Sequence, residues 1–184
     1  MQPTNIEQEL IKKCLKGDMR AQYELYNRYV TAMYNVALRI VSHQTEAEDV
    51  LQDSFTKVFQ QLHTFRSEAT IGAWIKRIVV TTALTHLRGK KKLQIIEMQQ
   101  LPELEDDEQH EADMIWDAKT LHESIKKLPE GSRVVFTLFA VEGMSHKEIA
   151  KALNISESTS KTQYMRAKQL LKQQLSTILK QREF

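Results

Sequence analysis

The chain has 184 residues, 41% hydrophobic and 27% charged, enough apolar side chain for one ordinary domain or two small ones. With only 5 glycines and 3 prolines a turn-rich β fold is disfavoured and long helices are expected, while a net charge of +2 does not by itself announce a nucleic-acid partner. The lone Cys14 excludes an intramolecular disulfide framework, and no bilayer-length apolar run or signal-peptide core is found, so the expected location is the cytoplasm.

The first elements read as helices with clear punctuation. Thr4 or Asn5 is placed to cap a helix through Leu15 that Gly17 ends, and Asp18 to cap a longer one carrying Tyr23, Tyr26, Val30, Met33, Tyr34, Ala37 and Val41 at helical spacing. Thr45 followed by Glu48 has the form of a capping box and predicts a helix to about Leu62, with Val50, Leu51, Phe55, Val58, Phe59 and Leu62 as its apolar stripe. A break over residues 65–69 precedes a further helix, residues 71–88, with Trp74, Ile75, Ile78, Val79, Thr82 and Leu87 on its apolar side.

Beyond Gly89 and three lysines the composition changes. Residues 93–118 hold no Lys or Arg but contain Glu97, Glu103, Glu105, Asp106, Asp107, Glu108, Glu111, Asp113 and Asp117, the composition of a tether. From Met144 onward the bias reverses: the acids are Glu148, Glu157 and Glu183, against Lys147, Lys151, Lys161, Arg166, Lys168, Lys172, Lys180 and Arg182. The near-neutral total therefore hides an acidic middle and a basic tail. Between Pro129 and Gly143 a short apolar helix is expected, holding Val134, Val135, Phe136, Leu138, Phe139 and Val141. The fold class is all-α: two small helical domains, residues 1–92 and 113–184, joined by an acidic linker at 93–112.

The most specific local signal lies at residues 144–156. Ser145 and Glu148 form a capping box, so a helix begins at His146; Ala150 is small where two helices cross closely. Asn154 sits where a left-handed turn residue is needed, Ile155 plugs the turn and Ser156 caps the next helix. This is the pattern of a helix-turn-helix, whose second helix enters the major groove with its N-terminal residues nearest the bases. That helix carries Ser160, Tyr164, Ala167, Leu171, Leu175 and Ile178 on one face. Candidate DNA contacts are Ser158 and Thr159 at its N-terminus, Lys161 and Arg166 for guanine edges or phosphates, Thr162 and Gln163 for bases or backbone, and Lys168. An ordinary helical hairpin with a solvated basic face is the plainer alternative, and Ser160 stands where such motifs usually carry an apolar residue.

With both halves in view the chain resembles an extracytoplasmic-function (ECF) sigma factor of the sigma-70 family, over residues 9–174. In the second half the resemblance rests on Leu128-Pro129-Glu130-Gly131, on Glu142-Gly143-Met144-Ser145-His146-Lys147-Glu148-Ile149-Ala150 and on Ile155-Ser156-Glu157-Ser158-Thr159-Ser160-Lys161. In the first half it rests on Glu46-Ala47-Glu48-Asp49-Val50-Leu51-Gln52-Asp53-Ser54-Phe55, on Phe65-Arg66 and on Trp74-Ile75-Lys76-Arg77-Ile78. The resemblance implies region 2 in the first half and region 4 in the second. As partners it implies promoter DNA, bacterial core RNA polymerase (through the β′ clamp helices and the β flap) and an anti-sigma factor. It implies neither catalysis nor a cofactor.

The same resemblance distributes roles. Asp49, Gln52, Asp53 and Phe55 match the surface that docks on the clamp helices, where carboxylates and an amide suit an Arg-rich partner helix. A solvated acidic face over a buried stripe is the plainer reading, and a metal-carboxylate site lacks a His at ligand spacing. Residues 65–88 match the part that opens the −10 element, with Arg66, Lys76, Arg77 and Arg88 for phosphates and Phe65 and Trp74 as aromatic candidates for a displaced base. Trp74 also fits the apolar stripe. Many family members carry Asn where this chain has Thr81, and Asp where it has Thr85; Thr81 lacks the two-point recognition of an amide. A conventional helix-turn-helix regulator with an N-terminal sensing or dimerising domain is the alternative function.

Overall fold

The computed structural model describes residues 5–89 and 118–182, all of them helical or connecting turns, and the chain divides into two units, Met1–Lys92 and Leu93–Phe184. The acidic linker and the proposed cap at Thr4 lie outside the described residues.

The first unit contains α1 (Asn5–Leu15), α2 (Met19–Val41), α3 (Gln44–Gln61), a 3₁₀ turn (Leu62–Thr64) and α4 (Ile71–Gly89). Gly17 closes α1 at φ +81°, a conformation a Cβ would strain, and Asp18 Oδ1 then accepts from the Arg20 and Ala21 amides at 2.9 and 3.2 Å to start α2. The Thr45–Glu48 capping box is not formed. Ser42 turns left-handed (φ 65°) and donates its N–H to Leu38 O, so α3 restarts after His43 and Thr45 falls inside its first turn. A two-residue connection leaves no room for a cap further along. Thr70 opens α4, its Oγ1 accepting from the Ala73 amide at 3.2 Å.

Helices α2, α3 and α4 pack on one another, with α1 laid on α2. Leu25, Ile40, Val50, Val58, Ile71, Ile75, Val79 and Leu87 are almost completely buried between them, each contributing on the order of 2 kcal/mol relative to exposure. Tyr29 joins three helices. Its hydroxyl donates to Glu7 Oε1 at 2.8 Å, and its ring lies where a Cβ on Gly72 of α4 would meet Cε1 at 2.9 Å. Gly72→Ala gains helix propensity of under ~1 kcal/mol but must swing the ring and break the hydroxyl bond. We expect a net loss of about 1 kcal/mol, measured as faster hydrogen exchange of α4 amides in the full chain and abolished in a Tyr29→Ala background.

Burial, then the hydrogen bond and charge of Glu7, push the Tyr29 hydroxyl up from 10.0 to about 12. The folded state thus holds this proton more tightly than the unfolded chain. Its contribution is complete below pH 10 and is lost as pH rises through about 12. Tyr29→Phe should therefore flatten the alkaline fall in unfolding midpoint between those values. An unchanged alkaline slope would remove Tyr29 as its source.

The second unit contains α5 (Ala118–Lys126), α6 (Glu130–Phe136), a π-helical turn (Thr137–Val141), α7 (His146–Leu153) and α8 (Glu157–Arg182). The apolar helix expected between Pro129 and Gly143 is thus not uniform. Its last turn widens, with the Glu142 amide reaching back to Thr137 O at 3.0 Å, before Gly143 reverses the chain at φ +74°. Leu128, Ala167 and Leu171 form an apolar cluster with Ile125, Phe136 and Leu170, and Val134, Val135, Leu138, Ile149 and Leu153 are buried. Among the described residues no helix is long and apolar enough to cross a membrane.

Candidate nucleic-acid interface

The α3 face splits cleanly. Asp49, Gln52 and Asp53 are exposed, while Val50, Ser54 and Val58 face inward. Phe55 is corrected: only 4% exposed, it packs edge-on against Tyr26 with ring centroids 4.7 Å apart and belongs to the core. Its place in the stripe Leu51–Phe55–Val58–Leu62 is the physical reason, since residues at that spacing share the buried side. The exposed face of α3 is therefore polar: two carboxylates and an amide, without the aromatic.

Between α3 and α4 the chain brings Phe65 and Trp74 together, centroids 5.6 Å apart, both half-buried. Ser67 in this loop holds φ +58°, costly for a residue with a Cβ. Arg66, Arg77 and Arg88 are exposed and Lys76 is half-buried. Thr81 is exposed, but its hydroxyl donates to Arg77 O at 2.8 Å within its own helix, so its lone pairs are what it leaves open to solvent. A contact not foreseen from the sequence ties the two helices: Lys57 Nζ donates to the buried Thr82 Oγ1 at 3.2 Å.

The helix-turn-helix forms as its local chemistry dictates. Ser145 and Glu148 make both halves of the capping box, and Asn154 ends α7 left-handed at φ 56°, ψ 49°. Ser156 Oγ accepts from the Thr159 amide at 3.0 Å and lies 2.8 and 2.7 Å from the Ser158 and Thr159 hydroxyls. Lys161, Thr162 and Lys168 point to solvent, and Arg166 is half-buried. Lys161 Nζ pairs with Glu157 Oε1 at 2.9 Å, and that hydrogen bond and charge hold the Glu157 carboxyl below its ordinary range. Both side chains are largely exposed, so redirecting Lys161 to a phosphate costs little.

Gln163 is the second correction. It is 6% exposed, and its Oε1 accepts a 2.7 Å hydrogen bond from the Ser132 hydroxyl of α6. Its amide is turned toward α6 and away from the exposed side of α8. Ser160, the residue out of pattern, is fully buried with its Oγ 2.9 Å from His146 Nδ1. For Ser160 a polar atom in the apolar stripe was the available signal, because a buried hydroxyl needs a partner.

Comparison with known proteins follows the same division. The family description "Sigma-70 region 2" matches residues 25–93 and "Sigma-70, region 4" matches residues 118–171. The chain is 30% identical to the RNA polymerase sigma-H factor of Pseudomonas aeruginosa, over 95% of this chain and 96% of that one. It is 26% identical to the ECF RNA polymerase sigma-E factor of Haemophilus influenzae, over 94% and 97%. Among solved structures, the sigma factor RpoE of Bartonella quintana in complex with the anti-sigma factor NepR covers 84% of this chain and 96% of its own, with a TM-score of 0.52 at 17% identity.

Proposed function

This chain belongs to the sigma-70 family as an ECF sigma factor, and from that premise we propose how its surfaces divide the work of promoter-specific initiation. The exposed Asp49, Gln52 and Asp53 on α3 dock on the β′ clamp helices of core polymerase. The pair Phe65 and Trp74, with Arg66, Lys76, Arg77 and Arg88, takes up the −10 element as it opens. Unstacking costs a few kcal/mol per step, which basic contacts to phosphates and stacking on an aromatic can offset. Thr81, an acceptor only, favours a displaced base that offers an N–H. The outward face of α8, with Ser158, Thr159, Lys161, Thr162, Arg166 and Lys168, reads the −35 element as intact duplex.

The observation that carries this reading is the ordered pair of matched regions, the first with an exposed acidic helix face and the second with a basic recognition helix. A regulator with one helix-turn-helix has no use for the first. An anti-sigma partner belongs to the reading as well, since the Bartonella relative is held by one. The test is run-off transcription from genomic fragments by core polymerase supplemented with this protein. Transcripts sharing an upstream element are expected. Duplex binding by the protein alone, with no promoter-dependent transcript, would favour a conventional regulator.

A further inference from the structure

The buried side of α8 is held by two polar contacts to two different helices. Ser160 Oγ lies 2.9 Å from Nδ1 of His146, the first residue of α7. Three residues on, hence on the same face of α8, Gln163 Oε1 accepts from Ser132 of α6 at 2.7 Å. Both partners are themselves fixed. The His146 ring lies flat on Phe139 (centroids 4.3 Å apart, planes 15° apart) and meets Tyr164 edge-on at 5.7 Å, while Ser132 is fully buried.

Apolar packing is non-directional and tolerates a helix rolling about its axis. A hydrogen bond does not, because it weakens steeply as its angle closes. Two such bonds to separate helices, one turn apart, define the roll of α8. That roll decides what the groove meets. At about 100° per residue, Lys161, Lys168 and Lys172 fall on one flank of the exposed side, Arg166 on the other, and Ser158 and Thr162 between them. A roll of ~20° moves a point at the ~6 Å side-chain radius by ~2 Å, more than a direct hydrogen bond to a base edge tolerates. Buried polar pairs add little net stability compared with apolar packing, and their best-attested use is to specify one arrangement.

We propose that Ser160–His146 and Gln163–Ser132 are positioning contacts that set the rotation of the recognition helix and, through it, base discrimination at the upstream element. This rests on α8 being the −35 reader. The test uses holoenzyme assembled from core polymerase and the full chain, with a −35 duplex recovered by the unaltered protein from a randomised library. Discrimination is the affinity for that duplex over a shuffled one. Ser160→Thr and Ser160→Val place the same number of heavy atoms in the same branched shape, but only Thr keeps the hydroxyl. Thr is expected to discriminate within about twofold of the unaltered protein, and Val roughly fivefold worse, the value of one hydrogen bond, at equal helical content. His146→Phe keeps the stacked ring without Nδ1 and Gln163→Met keeps the length without the amide; both should behave like Val. Equal discrimination by the Thr and Val variants, or full discrimination by His146→Phe, overturns the proposal. Failure of the unaltered holoenzyme to enrich any duplex would instead overturn the −35 reading on which it stands.

Discussion

Replacing Lys161 and Arg166 together by alanine is expected to weaken holoenzyme binding to a −35 duplex by about 10- to 100-fold and to leave affinity for core polymerase unchanged. Lys161 projects to solvent from the second turn of α8, and Arg166, half-buried, lies on the third. Lys161 is held by an exposed pair with Glu157, which is readily exchanged for a phosphate. Arg166 supplies a planar fork suited to guanine or to phosphate. If a removed side chain neutralised a phosphate, the slope of log affinity against log salt should fall by about 1. If it read a base, sequence preference should instead relax at one position. Titration across salt concentrations on matched and shuffled duplexes separates the two, and an equal fall in core affinity would show that α8 is not confined to DNA.

The second large effect is expected on α3. Asp49→Ala with Gln52→Ala should lower affinity for core polymerase by about 10- to 100-fold, the range for removing two polar groups that face a cationic partner helix. Since both side chains are solvent-exposed, folding should be preserved. Phe55→Ala, on the same helix, should behave differently. Its ring is buried against Tyr26, so the change costs about 3–5 kcal/mol of stability and impairs binding only secondarily. Urea unfolding beside a core-binding titration distinguishes the two classes. A stable Phe55→Ala protein that fails to bind core would return Phe55 to the interface.

The features legible in the sequence are those settled within a few residues. Asp18, Ser145, Asn154 and Ser156 act through their own or adjacent backbone groups, so their residue types announced helix ends correctly. Thr45 carried the same announcement and was overridden by Ser42, whose left-handed turn moved the start of α3 one residue upstream of it. The widened turn at Thr137–Val141 was illegible because apolar periodicity does not distinguish α from π winding over so few residues. Gln163 shows the larger difficulty. Flanked by Lys161, Thr162 and Arg166 it reads as one more groove residue, yet its partner Ser132 lies 31 positions earlier in the chain. Side-chain pairing at that range depends on how α6 meets α8, which no local pattern contains. Phe55 was ambiguous for the opposite reason: its stripe marked it as core while the resemblance marked it as surface, and packing decided for the stripe.

The division of labour is tested most directly on two templates: a promoter duplex, and the same promoter with its −10 segment mismatched so that it is already open. Holoenzymes carrying Phe65→Ala with Arg77→Ala, or Lys161→Ala with Arg166→Ala, are compared with the unaltered protein for initiation on each. If residues 65–88 do the opening and α8 reads duplex, the open template relieves the unstacking cost and brings the first variant to within about twofold of the unaltered protein. The second variant should gain no more from the open template than the unaltered protein does. Equal rescue of both, or rescue of neither, would contradict the assignment of strand opening to the first unit and duplex reading to the second.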